Sequence, residues 1–447
     1  MAFLKKITSL LNKLPLILFG FSISILIFSY GIIVAKYKIF PYSYLETAIQ
    51  VGKEVKSKSE NKKPWYYPET DHTKKLSIYN EKEADSGLIL YSSIGENYGI
   101  YAKIIDRKGQ LVHEWNLDWF ENWPDPTHLN EKEKPKSKPG TNIHGMILLE
   151  NGDLIFNYEY LGLVRIDVCG NIVWKLPMRT HHSIWRDEYD NLWIPRVKYI
   201  EDTLYEYPNF NPPVELNTIL KVSLEGEVLD EIDLVDLFER NNLQGLLYLS
   251  TNIDWKDIKV TGDIFHMNDV EIFPSSIDEG LFKAGDIMVS ICNMNAIIVF
   301  NGKDLTVRYM TIGGTVRQHD PDFIDGNTIS IFDNNNGFTN DHSHRSRILI
   351  VSADNNKYHV AYSGDKENPF YSLALGDHQW LPNGNILITE TLTGRIFEVD
   401  TSGKIVWEFI NLVGDGYAGE VEVAIRLSEQ FTRSFFEQRV QECKDSN

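Results

Sequence analysis

The sequence predicts an all-β fold, a six-bladed β-propeller, with an N-terminal transmembrane helix and a short C-terminal helix. Three observations predict it. A unit of apolar strand, short polar turn and second apolar strand recurs six times. Five of these hairpins follow another hairpin that opens with histidine. Long stretches of helical period are few, while Gly-containing turns are frequent, as in chains built from many short strands.

The N-terminus stands outside this pattern. Residues 14–35 read LPLILFGFSISILIFSYGIIVA, a run without a charged residue. At ~1.5 Å per residue it is long enough to cross a hydrocarbon layer of ~30 Å. Lys5, Lys6 and Lys13 precede it, and Lys36 and Lys38 follow. The basic N-terminal flank assigns residues 1–13 to the cytoplasm and makes 14–35 a signal anchor. VAKYKIF offers no A-x-A-like cleavage site, which separates the anchor from its rival, a cleaved signal peptide. The rest of the chain is then membrane-anchored and periplasmic or extracellular. Residues 36–86 read as a polar linker. In it, LETAIQVGKEVKSKSE has the composition of a short helix and NKKPWYYPETDHTKK that of an extended connection.

The propeller is expected over 87–411. Its recurrent hairpins are YAKIIDRKGQLVHEW from Tyr101, LVRIDVCGNIVWKL from Leu163, ILKVSLEGEVLDEI from Ile219, AIIVFNGKDLTVRYM from Ala296, RILIVSADNNKYHVAY from Arg347 and RIFEVDTSGKIVWEF from Arg395. In each, β-branched and aromatic residues flank a short Gly, Asp or Asn turn. The histidine hairpins are HGMILLENGDLIF at His144, HHSIWRDEYDNLWI at His181 and His182, HMNDVEIFP with GDIMVS at His266, HDPDFIDGNTISIF at His319 and HQWLPNGNILIT at His378. Two hairpins in succession make a four-stranded blade. YIEDTLYEYPNFNPPVE and DLVDLFERNNLQGLLYLS are insertions in the long interval before His266, the second with a short helix. Residues 412–447 are expected to be helical, because GEVEVAIRLSEQFTRSFFEQRVQEC spaces its apolar residues at helix-like intervals.

Bulk composition narrows the function. The 447 residues carry 44 Lys and Arg against 63 Asp and Glu, a formal charge of −19, which argues against a nucleic-acid partner. Hydrophobic residues make up 43% and suffice for a large core. Cys169, Cys292 and Cys443 are too few and too scattered for a zinc cluster; one bridge at most is possible, between an unspecified pair. There is no glycine loop of the nucleotide-binding kind, and no metal or other cofactor is expected. The oligomeric state is left open.

The first strand of each propeller blade lines the central channel. A residue type repeated before that strand therefore converges on the axis from distant points of the sequence. His144, His182, His266, His319 and His378 are expected to form such a ring. Arg317, two residues before His319, faces the same side of an extended strand. Imidazoles with a guanidinium suit an anion such as sulfate, phosphate or carboxylate. The structural alternative is that these histidines tie one blade to the next.

The motifs FHMNDVEIFP with GDIMVSICNMNAIIVF, VRQHDPDFIDGNTISIFDNNN, SRILIVSADNNKYHVAYSG and LPNGNILITETLTGRIFEVDTSGKIVWEF occur in this order. Together they resemble the bacterial arylsulfotransferase family, the type independent of phosphoadenosine phosphosulfate, from about residue 140 to 410. The resemblance implies a six-bladed propeller exported from the cytoplasm. It implies transfer of a sulfuryl group from an aryl sulfate donor to a phenolic acceptor, both small molecules, through a sulfohistidine. It points to His378 as the nucleophile, because the family's nucleophile lies in a late blade. It assigns His266, His319 and Arg317 to the transferred oxygens, and His182, His144 and Asn268 to substrate binding. Neutral imidazole is a competent nucleophile near neutral pH, and fixed cationic donors stabilise the spreading charge of a loose transition state. Two other functions compete: a non-catalytic ligand-binding or scaffold propeller, and a metal-dependent hydrolase or lyase. For the latter, Asp320, Asp322 and Asp333 would supply carboxylates, although DPDF and FDNNN read more simply as strand-end and turn residues.

Overall fold

In a computed structural model, residues 2–37, 39–42, 64–249, 251–252, 259–336, 345–414 and 416–445 are described. The short helix expected in LETAIQVGKEVKSKSE lies outside them. The chain divides into two units, Met1–Pro64 and Trp65–Asn447. In the first, Ala2–Tyr37 is one α-helix, and its portion Lys13–Tyr37 has a mean hydropathy of 2.4. That portion is long and apolar enough to cross a bilayer. Leu16 and Phe28 leave more than two thirds of their surface uncovered, at 76% and 71%.

The second unit is the six-bladed propeller. From the axis outward, the second blade runs Met146–Leu148, Leu154–Tyr158, Gly162–Ile166 and Ile172–Leu176. The third is Trp185–Arg186, Leu192–Ile200, Val214–Val222 and Val228–Asp233. The fourth is Met267–Ile272, Asp286–Ile291, Ala296–Asn301 and Val307–Ile312. The fifth is His319–Asp325, Thr328–Asp333, Arg347–Ser352 and Lys357–Ser363. The sixth is Asp377–Trp380, Ile386–Glu390, Arg395–Val399 and Ile405–Ile410. Every recurrent hairpin of the sequence is an outer pair, and every histidine hairpin an inner pair. The turns have a local cause. Asp106, Asp167 and Asp400 each accept two backbone N–H groups of their own turn through one carboxylate oxygen. Gly109, Gly170 and Gly403 then take positive φ, where a side chain would be strained.

The first blade departs from expectation. Its outer three strands are Ile89–Ile94, Ile100–Ile105 and Leu111–Asn116, but its inner strand is Val421–Arg426 from the C-terminal end. Ile89 pairs with Arg426 and Leu90 with Ile425, so the two ends of the propeller close the ring by hydrogen bonds. Residues 412–447 are thus not wholly helical: the helix covers Arg433–Asp445. Local periodicity misleads here because EVEVA is buried on both faces, and pairing with the first blade decides its conformation. The expected linker also contributes structure. Leu76–Tyr79 adds a fifth strand to the sixth blade, and the Tyr67 hydroxyl donates to Gly95 O at 2.6 Å.

A disulfide joins Cys169 to Cys443 across 274 positions and ties the terminal helix to the second blade. Phe436 of that helix is fully buried against Trp115 and His113. Cys292 is buried as a free thiol. The insertion helix is Leu234–Arg240, capped by Asp233, whose carboxylate accepts from Val235 N at 2.8 Å.

Candidate functional site

Inner strands of all six blades border one axial cavity of about 310 Å³. The strand starts bring four histidines together beside it. The His144 and His182 ring centres lie 4.3 Å apart, His182 and His266 5.5 Å, and His182 and His319 6.3 Å. Four of the five histidines expected in the ring, spread over 175 positions, thus meet at one place; His378 makes no ring contact with them.

Their backbones are constrained. His182, His266 and Arg317 have φ of 54°, 48° and 58°, in the left-handed region that non-glycine residues avoid. Such conformations persist where surrounding structure holds them and concentrate at functional sites. Unpaired buried polar atoms accumulate here as well: both carboxylate oxygens of Glu422, His181 Nε2, Asn157 Oδ1 and Asn268 Oδ1. Asn268 Nδ2 donates to Gln318 O at 2.7 Å.

The imidazoles differ in charge and in access. Burial, followed by the neighbouring His144, pushes the His319 pKa down to about 3. Burial also holds His182 well below the ordinary value and takes His181 to about 4. These three are neutral near pH 7. His319 Nδ1 faces the Asn334 amide oxygen at 2.7 Å and Arg317 O at 3.1 Å, both acceptors, so its proton sits on Nδ1. His144 behaves oppositely. Burial opposes its charge, but Glu159 and Glu422 outweigh that and raise its pKa. Its Nδ1 is 3.8 and 3.7 Å from their carboxylates.

His266 is the accessible member, with 27% of its side chain exposed. Its Nδ1 is 2.8 Å from Asp263 Oδ2, and its backbone N–H donates to the same carboxylate at 3.1 Å. This pairing puts the proton on Nδ1 and leaves the Nε2 lone pair available. Arg317 stands beside it. Its Nη1 donates to Asn293 Oδ1 at 2.7 Å, and Asn293 Nδ2 donates to Asp263 O at 2.9 Å. The guanidinium is exposed and, among the described residues, takes no carboxylate partner.

His378 borders the same cavity but has different surroundings. Its side chain is fully enclosed. Nδ1 meets Asp320 Oδ2 at 2.6 Å; Nε2 meets Ser330 Oγ at 2.9 Å and has Asp322 Oδ2 at 3.6 Å. An incoming sulfate would find both nitrogens engaged and two carboxylates beside them. The expected nucleophile therefore lies in a neighbourhood that repels anions. Sequence reasoning missed the acids that create it. Asp269, Glu271, Asp320, Asp322, Asp377 and Glu422 all border the cavity. Burial raises the pKa of Asp269, Glu271, Asp322 and Asp377, and repulsion within this group and from Asp320 raises them further; burial and then Glu420 raise Glu422. One signal was available: six outer hairpins accompany five histidine hairpins, so a sixth inner strand had to come from elsewhere, and it brings Glu422. Asp263, three residues before His266, was also within reach.

Comparison with known proteins follows this geometry. A family model described as arylsulfotransferase (ASST) matches residues 145–412. No curated protein matches the chain. Among solved structures, a protein of unknown function from Bacteroides caccae is similar at 13% identity, with a TM-score of 0.45, over 77% of this chain and all of that one. Selenomethionine-substituted virginiamycin B lyase from Staphylococcus aureus is similar at 13% identity, with a TM-score of 0.34, over 66% of this chain and 87% of that one.

Proposed function

This chain belongs to the arylsulfotransferase family, and on that premise we propose that it moves a sulfuryl group from an aryl sulfate to a phenol through a sulfohistidine at the histidine end of the channel. Family membership implies an aryl sulfotransferase-like function. The observation that carries the finer reading is the Asp263–His266 pair, linked through Asn293 to the exposed Arg317.

In the first half-reaction, His266 Nε2 attacks the sulfur. An N–S bond forms and the bond from sulfur to the aryl oxygen breaks. Asp263 holds Nδ1–H and stabilises the growing imidazolium charge. Arg317 receives the charge that develops on the sulfuryl oxygens. His144, whose pKa Glu159 and Glu422 raise, gives its proton to the departing phenolate. In the second half-reaction the acceptor phenol returns a proton to His144 as its oxygen attacks sulfur, and His266 is released. His182 and His319 stay neutral and shape the pocket.

We also propose that the apolar helix anchors the protein and that the propeller faces an oxidising compartment. The Cys169–Cys443 bridge supports that side of the membrane. The test of function is an assay of the purified full chain with a chromogenic aryl sulfate and a phenol acceptor. Phenol-dependent release of the chromophore is expected. Absence of release with every donor, together with absence of histidine labelling, would leave a ligand-binding propeller.

A further inference from the structure

The carboxylate end of the channel is not used by this reaction. Asp320, Asp322 and His378 each offer one ligand atom, and these atoms all lie within 4.8 Å of one another. His378 Nδ1 donates a hydrogen bond to Asp320, and Nε2, which accepts from the Ser330 hydroxyl at 2.9 Å, has the Asp322 carboxylate 3.6 Å away, where an ion could take the hydroxyl's place. Ser330 Oγ already accepts from Trp380 Nε1 at 3.1 Å. Asp320 holds this position from a backbone with φ of 46°, an uncommon conformation for a non-glycine residue. Asp269 and Asp377 border the same space. Among the described residues around the cavity, the one guanidinium, Arg186, is committed to Asp190 and Glu150 at 2.6 and 2.7 Å. Asn268, only 4% exposed, leaves its Oδ1 without a partner in this cavity.

A set of half-buried carboxylates gathered in one cavity without a free guanidinium or ammonium partner takes up protons or coordinates a cation. Carboxylate oxygens with one imidazole suit a hard to borderline divalent ion of the Mn²⁺ or Mg²⁺ kind. We propose that Asp320, Asp322 and His378 bind one divalent cation in the propeller channel. The site is separate from the His266 centre and does not depend on the proposed sulfuryl transfer.

The test uses the full-length, detergent-solubilised chain, stripped with chelator and titrated with MnCl₂ up to about 1 mM, the weak end of the range for extracellular cation modules. Disappearance of the free Mn²⁺ electron paramagnetic resonance signal reads binding. One ion per chain is expected, with nitrogen coupling from a directly bound imidazole. Asp322→Asn keeps the volume of the side chain and should weaken binding at least about tenfold. Glu159→Gln, in the separate His144–Glu159–His182 group, should leave the affinity unchanged. Thermal unfolding of each stripped variant checks that it is folded, and Mn²⁺ should raise the midpoint of the wild-type chain more than that of Asp322→Asn. Absence of binding by 1 mM, binding untouched by Asp322→Asn in a folded protein, or binding lost in Glu159→Gln instead, would each overturn the proposal.

Discussion

The two ends of the axial channel use the same residue type in opposite ways. At one end, His266 is half-open, anchored through Nδ1 to Asp263, and flanked by an exposed guanidinium. At the other, His378 is also anchored through Nδ1 to a carboxylate, but it is enclosed and faces a second one. A carboxylate–histidine pair thus does not define a function. What surrounds the pair does: open space with an exposed guanidinium near by invites an anion, whereas further carboxylates exclude it.

If that contrast decides the chemistry, His266→Ala should have the largest effect. Loss of the attacking nitrogen is expected to lower aryl sulfate turnover by ~10⁴-fold or more, measured as chromophore release under saturating phenol. Arg317→Ala should slow turnover by roughly 10²- to 10³-fold and leave some covalent labelling, because the guanidinium stabilises charge without bonding to sulfur. Equal loss of labelling and turnover would give Arg317 a different role.

The remaining predictions concern stability. Cys443→Ser should cost about 2–4 kcal/mol, read by denaturant unfolding, and should abolish the sensitivity of the wild-type chain to reductant. His378→Ala should cost about 1–3 kcal/mol, because it removes the imidazole bonded to Asp320 and Ser330. Its turnover should fall far less than that of His266→Ala. A fall as deep would erase the distinction between the two ends.

The smallest effect is a pH dependence. Burial pushes Glu420 up to about 7 from an ordinary 4.5. Between those values the native state holds a proton that the unfolded chain has lost, so stability falls as pH rises through the interval. Glu420→Gln should flatten that slope in thermal unfolding scans between about pH 4 and 8, an interval set to span the shift. An unchanged slope would place the responsible protons elsewhere.

The sequence made the blades legible because each hairpin carries its own turn chemistry, as in the Asp–Gly turns at Asp106 and Asp167. The histidine ring was legible because one residue type recurs at one structural position. What pairs with each histidine was not. Asp320 acts through an uncommon backbone conformation and a cross-blade contact that no local pattern encodes. The closing strand Val421–Arg426 was hidden for a similar reason. Its partner, Ile89–Ile94, lies at the other end of the propeller, and a doubly buried strand carries no amphipathic signature.

The most direct measurement is to incubate the protein with an aryl sulfate donor alone, quench it, and locate the added sulfuryl group by peptide mass analysis. The label is expected on the peptide containing His266. A label on the peptide containing His378 would contradict the assignment of the histidine end as the reacting one.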